Sequence, residues 1–378
     1  MNVKKTTYYM AMSLALLLTL LLGACSADGT DETAGQEHQL HLTPATRVLQ
    51  EGDLTRSLPA GYEVLDVNQA FPNGKDLMAF IANSKNASEV FIRRLNYVTD
   101  WQKNISITDF SQPYSIYGFI PISDDTSDNV AISLLAGRTT YSDGVVMTVN
   151  NLKPLTVSDP CVIVGVKGYP SGVGSIHDVD VQLGKFDYSF SQTSTTDRVC
   201  MLLDHLFAKF QFKINVNATY DALRTIKVNK MTLQALDASG NVVNTVTATV
   251  NIVANESNIS PVNGIQFSRS TAGSAASPYV LRDGELTLST TLQDAGYCLA
   301  PYDQQYFLLT TEYDVYDKAT PTPNKIRSGC TSTNKFTVSV ESAKKKPGYL
   351  HTVQIMVTPT YLYVLSDPDF DNPTFTIQ

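Results

Sequence analysis

Apolar and polar residues alternate with a period of two along most of this chain. The clearest run is Phe207 to Val216, where Ala208, Phe210, Phe212, Ile214 and Val216 are separated by Lys209, Gln211, Lys213 and Asn215. Successive side chains on an extended backbone point to opposite faces, so this pattern predicts a strand with one buried face and one solvated face. The alternation recurs at Val246, Ala248, Val250 and Ile252, at Phe307, Leu309, Thr311, Tyr313 and Val315, at Phe336, Val338 and Val340, and at Tyr349, His351, Val353, Ile355 and Val357. Nearer the N-terminus the candidates are shorter and more continuously apolar: Asp76 to Ala82, Glu89 to Leu95, Ser115 to Ile122, Val130 to Ala136, Val145 to Leu152, Cys161 to Val166, and Val179 to Phe190. Short strands punctuated by Gly, Pro, Asn, Asp and Ser predict an all-β protein built of sandwiches rather than a parallel sheet covered by helices. Only Thr219 to Arg224, behind Asn217, predicts a helical turn.

The two ends break the pattern. Behind Lys4 and Lys5, an apolar run from Tyr8 to Ala24 closes on Leu22-Gly-Ala-Cys25, which has the form of a lipoprotein signal peptide cut before a cysteine that then carries acyl chains. The run falls short of the roughly 20 apolar residues of a spanning helix. The alternative is an ordinary cleaved secretory signal followed by a chance cysteine. From Cys25 to about Pro59 the chain is polar and has the composition of a tether. It contains a brief alternation at Leu40-His-Leu42 and two basic sites, Arg47 and Arg56, that a trypsin-like protease could cut. A polar Ser/Thr-rich stretch from Ser189 to Asp197 carries no strand pattern and marks a boundary between two halves.

At the other end, Tyr361, Tyr363 and Leu365 alternate with Leu362 and Val364, so both faces of that segment want burial. It is either a central strand of its own sandwich or a guest in a neighbour's groove, a mode in which backbone bonds give affinity and side-chain pockets give specificity. Asp367 to Asn372 has the alternating oxygens that open a calcium loop. Asn372 stands where that loop needs Gly and Gln378 where it needs Glu, which leaves a polar turn with Pro373 restarting an extended segment.

Composition then narrows the chemistry. A formal charge of −8 and one short lysine run, Lys344 to Lys346, give no surface suited to phosphates, so nucleic acid is not an expected partner. Beyond Cys25, the cysteines 161, 200, 298 and 330 lie in or beside apolar stretches. They read as separate buried thiols more readily than as a disulfide framework, although three pairings remain open. His38 and His41 lie in the tether with no third metal ligand nearby, His205 and His351 belong to strands, and His177 has no nucleophile motif to complete it. No catalytic residue, cofactor or metal site is predicted.

Taken together these features resemble the Bacteroides-type fimbrillins, the lipoprotein-derived subunits of the type V pilus. The resemblance rests on the motif ending in Cys25, on Arg47 and Arg56, on Leu203-Asp-His-Leu-Phe-Ala-Lys-Phe-Gln-Phe212, on Gly348-Tyr-Leu-His-Thr-Val353, and on the segment Tyr361 to Asp371. It implies two transthyretin-like β-sandwich domains in tandem, export as an outer-membrane lipoprotein, and removal of an N-terminal strand by an arginine-specific protease. The emptied groove then accepts a strand from the next subunit of a cell-surface fimbrium. Carried onto this chain, it implies a signal peptide at 1–24, a lipidated tether or propeptide at 25–56, domains at 57–197 and 198–358, and a donor segment at 359–378. Arg47 is the first processing site and Arg56 the second. Tyr361, Leu362, Tyr363, Val364, Leu365, Phe375 and Ile377 are the expected donor-strand residues. The implied partners are other pilin subunits, of its own kind and accessory. A shaft role comes first, with anchor and tip as rivals. Outside the family, a surface glycan-binding lipoprotein is the alternative, with Trp101 as its one tryptophan and 19 tyrosines as further aromatics.

Overall fold

A computed structural model describes residues 35–47, 62–64, 66–86, 89–122, 129–170, 179–254, 264–318, 324–359 and 368–377. Cys25, Arg56, His177 and Tyr361 to Leu365 lie outside those residues. The described chain is nearly all β.

In the first half the strands are β1 (Gln36–Arg47), β2 (Tyr62–Val64), β3 (Asp76–Asn83), β4 (Val90–Tyr97), β5 (Trp101–Ile107), β6 (Tyr114–Ile122), β7 (Val130–Leu134), β8 (Gly144–Leu152), β9 (Cys161–Gly168), β10 (Asp187–Tyr188) and β11 (Thr196–His205). Those of the second half are β12 (Phe207–Val216), β13 (Arg224–Leu236), β14 (Thr245–Val253), β15 (Ile265–Ser270), β16 (Tyr279–Thr287), β17 (Gln293–Pro301), β18 (Tyr306–Asp317), β19 (Lys325–Thr337), β20 (Leu350–Pro359) and β21 (Pro368–Ile377). The predicted helical turn is α2 (Ala218–Asp221), capped by the Asn217 side chain accepting from the Thr219 amide; a second turn, α1 (Val67–Ala70), is capped by Asp66.

Nine strands of the first half form one sheet in the order β10-β6-β3-β4-β5-β1-β11-β9, with β2 against β1, and β9 pairs back onto β6. That last pairing closes the path into a ring. Closure explains the continuously apolar strands, because each has one face inside the ring and one face outside. On β3, Leu77, Ala79 and Ile81 point into the enclosed core while Met78 and Phe80 belong to a second core. On β9, Cys161 and Ile163 divide from Val162 and Val164 in the same way.

The second half supplies two further four-stranded sheets, β17-β12-β20-β21 and β16-β13-β18-β19. They face each other through rings: Phe210 and Phe212 of β12 meet Phe307 of β18, and Phe307 stacks on Phe336 of β19 at 5.4 Å. A fourth sheet, β15-β14-β8-β7, is shared, since β7 and β8 come from the first half and β14 and β15 from the second. Met147, Val149, Ala248 and Val250 are fully buried there, so the halves are joined by more than the chain itself.

Three local expectations meet a different structure. Residues 36–47, placed in a polar tether, form β1, because His38, Leu40 and Leu42 alternate with exposed Glu37 and Gln39 and are completely buried. Val179 to Phe190 keeps only Asp187–Tyr188 as strand, although Val179, Val181 and Phe186 are buried. Asp369 to Asn372, expected as a turn between two segments, falls within the bounds of β21, where residues 370–373 interrupt the pairing with β20 between Asp369 opposite Thr358 and Thr374 opposite Met356. Position 197/198 falls within β11, which continues to His205 before Leu206 leads into β12.

Candidate functional site

The most unusual feature of the fold is where its first strand sits. β1 runs parallel to β11, with Gln39 to Thr46 opposite Thr196 to Leu203, and antiparallel to β5, with Gln36 to Leu42 opposite Ile107 back to Trp101. It is an interior strand hydrogen-bonded on both sides. Its final residues, Ala45 to Arg47, also pair with Val64 back to Tyr62 of β2. Arg47 is therefore the last residue of a strand that could be detached whole by one cut.

Apolar burial and two histidine–aspartate pairs hold β1 in place. Leu40 and Leu42 are 0% exposed within the ring core beside Trp101, Ile105, Val199 and Met201. Each such leucine contributes about 1.5–3 kcal/mol relative to exposure. His38 is also fully buried, packed against the Phe110 and Phe190 rings, and its Nδ1 donates to Asp197 Oδ2 at 2.6 Å. The other oxygen of Asp197 accepts the Tyr188 hydroxyl at 2.7 Å. Burial, and then Asp197 itself, raise the Tyr188 phenol above its ordinary range, so it remains a donor at neutral pH. Three residues along, His41 Nδ1 donates to Asp100 Oδ2 at 2.9 Å, and Gln102 donates to Asp100 Oδ1 at 2.6 Å. The pairs lie on opposite faces of β1. Thr43 adds a hydroxyl contact to Tyr169 at 2.8 Å.

At the other end of the chain, β21 pairs antiparallel with β20 alone, at the edge of its sheet. Phe375 and Ile377 stand opposite Ile355 and Val353 in that register. Of the expected donor residues, these two fall on the chain's own sheet, and Tyr361 to Leu365 are outside the described residues.

Sequence reasoning missed a second titratable cluster. Cys161 and His205 are register partners across β9 and β11, and His205 Nδ1 lies 2.5 Å from Asp159 Oδ2 and 3.7 Å from the Cys161 sulfur. Burial disfavours a charged His205, but the Asp159 carboxylate and the neighbouring sulfur outweigh it and hold the ring well above its usual range. Burial pushes the Cys161 thiol up to about 12. The same ring nitrogen faces both acid and thiol, so this is an ion pair pinning β9 to β11 and not a relay that could activate sulfur. Only its composition, Asp-Pro-Cys and Asp-His at distant positions, was visible beforehand.

Trp101, the aromatic on which a glycan platform would depend, is 0% exposed and donates its indole N–H to the Lys75 carbonyl. Cys161, Cys200 and Cys298 are buried thiols, as the apolar context predicted, whereas Cys330, expected to be buried with them, is only half-buried. His351 is buried against Phe210, and that burial lowers its pKa.

No protein-family model and no curated relative matches the sequence. Among solved structures, the chain is similar to a fimbrial protein from Bacteroides vulgatus, with 8% identity, 89% of this chain and 98% of that one covered, and a TM-score of 0.42. A putative cell adhesion protein from Bacteroides eggerthii follows at 12% identity, 91% and 95% coverage and a TM-score of 0.39. A fimbrial anchor protein from Porphyromonas gingivalis overlaps at 10% identity, 90% and 97% coverage and a TM-score of 0.28. Other similar structures are putative cell adhesion proteins and, at 10% identity, 88% and 96% coverage and a TM-score of 0.31, a putative polysaccharide-binding protein from Bacteroides thetaiotaomicron.

Proposed function

We propose that this chain is a structural subunit of a type V pilus that assembles by strand exchange once β1 has been removed, with a place in the shaft. The observation that carries the reading is β1 itself. An interior strand at the start of the fold ends at Arg47, and the chain between it and β2 can be cut without touching any other described strand. Removing it would open two facing sheet edges, on β5 and β11, with an apolar floor between them. Exposed edges of that kind recruit an extended segment from another chain. The donor would be the C-terminal segment with Tyr361 to Leu365, Phe375 and Ile377, released from β20. Two transthyretin-like domains, divided where Leu206 passes from β11 to β12, would form the body. Cys25 would carry the lipid that holds the precursor at the outer membrane until an arginine-specific protease acts at Arg47, or at Arg56.

A tip role is the second reading. The pairing of β21 with β20 favours it, because a tip subunit keeps its C-terminus in its own fold.

The test is to compare the chain starting at Ser26 with the same chain cut after Arg47, by electron microscopy and unboiled gels. Fibres or a stable ladder only after cutting would support the shaft reading. Assembly by an Arg47→Ala, Arg56→Ala double variant would remove proteolytic activation. Two forms that stay monomeric, the cut one taking up no strand peptide in its groove, would move the tip reading ahead.

A further inference from the structure

Resting on the strand-exchange reading, we infer that the groove beneath β1 selects a donor strand carrying nitrogen donors at two positions three residues apart, and so takes its strand from a different subunit rather than from a second copy of this chain. The groove is not a neutral apolar slot. It is lined on its inner face by Asp197 and on its outer face by Asp100, 2% and 9% exposed, each with one carboxylate oxygen held by a fixed neighbour and the other by a histidine of β1. When β1 leaves, both histidines leave with it. An incoming strand reburies two carboxylates that have each lost a partner, and a buried charge without its partner is strongly unfavourable.

The chain's own C-terminal segment does not supply what is lost. Residues 360–378 contain no Lys, Arg or His, and they contribute three carboxylates, Asp367, Asp369 and Asp371. Seated in this groove they would add like charge beside Asp197 and Asp100. The β1 strand itself, Gln36–Arg47, shows the matching code: an imidazole facing inward between two phenylalanine rings, leucines at the next two inward positions, and a second imidazole facing outward. The fitting occupant is therefore an extended segment of another subunit with His or another nitrogen donor facing Asp197, apolar residues at the following inward positions, and a donor three residues on for Asp100. This chain's acidic tail then serves a groove of different composition, which makes neighbours along the polymer non-identical.

Peptide exchange tests this. The full chain, with a unique protease site placed between residues 48 and 61, is cut, and fluorescent peptides compete for the groove: residues 36–47 as they stand, the same peptide with His38→Leu and His41→Leu, and residues 360–378. The native peptide is expected to bind, and the other two to bind at least about tenfold more weakly, since a hydrogen bond to a buried charge is worth at least that factor. In a groove carrying Asp197→Asn and Asp100→Asn, the gap between the native and double-leucine peptides should fall to within about threefold. The peptide substitutions need no change in the protein, so the inference stays testable if that variant does not fold. Binding of residues 360–378 to the unaltered groove as tightly as the native peptide would overturn the inference and leave strand exchange standing. Failure of every peptide to exchange, the native one included, would overturn strand exchange and the inference with it.

Discussion

The first and last strands of this fold are held in opposite ways. β1 is flanked by β5 and β11, buries Leu40, Leu42 and His38 completely, and gives two buried carboxylates a hydrogen-bond partner each. β21 is hydrogen-bonded to β20 alone and lies against β19 of the facing sheet, and β20 is already paired on its other side by β12. Losing β1 opens a core and two facing sheet edges, whereas losing β21 frees a single edge, on β20, and its contact with β19. A terminal strand that leaves a hole is suited to being replaced, and a terminal strand at an edge is suited to being released. Strand exchange requires both properties in one molecule.

The largest effect expected from that contrast is the loss of β1 with nothing in its place. A chain starting at residue 48 forfeits two leucines worth about 1.5–3 kcal/mol each and leaves Asp197 and Asp100 without their histidines. Urea unfolding should show a loss above about 5 kcal/mol, or no folded first half at all. Near-normal stability would mean that β1 is only a surface strap. Next comes Trp101→Ala, which removes the ring opposite Leu42 in register and should cost about 3–5 kcal/mol by the same measurement. A stable variant that merely lost affinity for polysaccharide would revive a glycan-binding role. Deleting residues 360–378 should cost less, about 2–4 kcal/mol, because the register sets Phe375 and Ile377 opposite the buried Ile355 and Val353 while only one edge of backbone bonds is lost. Collapse of the second half would show that β21 is indispensable to its own fold and would favour the tip reading.

These expectations also show what was legible in the sequence. The sandwich strands of the second half were plain, because Phe207 to Val216 and Tyr349 to Val357 have one wet face, and alternation reports that directly. In the ring both faces of β3, β6 and β9 are covered, so their apolar runs announced strands but not the closure. β1 was hardest to recognise. Its inward face begins with a histidine, and polar residues look like solvent exposure until their partners are known; Asp197 is 159 positions away. The start of β11 was obscured for a similar reason, since Thr196 and Asp197 are polar yet open that strand. Buried ionic pairing is a property of two distant positions together, and one-dimensional patterning does not carry it.

The smallest expected effect concerns the strand that forms one wall of the groove. His205 anchors the end of β11 to Asp159 and Cys161 beside β9, and its folded-state pKa is held well above the ordinary 6.5. A histidine whose pKa is raised on folding stabilises the protein fully below its unfolded pKa, and that stabilisation is lost as pH rises through the folded value. Above about pH 8.5 the unfolded Cys161 thiol ionises while the folded one, pushed up to about 12, does not, so this thiol lowers stability further at alkaline pH and the histidine is read between pH 6 and 8. Thermal unfolding of the intact chain should therefore fall in midpoint between pH 6 and 8, and His205→Gln should flatten that part of the slope while lowering the midpoint at pH 6. Because β11 also carries one side of β1, peptide exchange in the cut chain should become faster at the alkaline end in the unaltered protein and not in the variant. An exchange rate with the same pH dependence in both would separate the β9–β11 tie from the groove, leaving Asp197 and Asp100 to govern release by themselves.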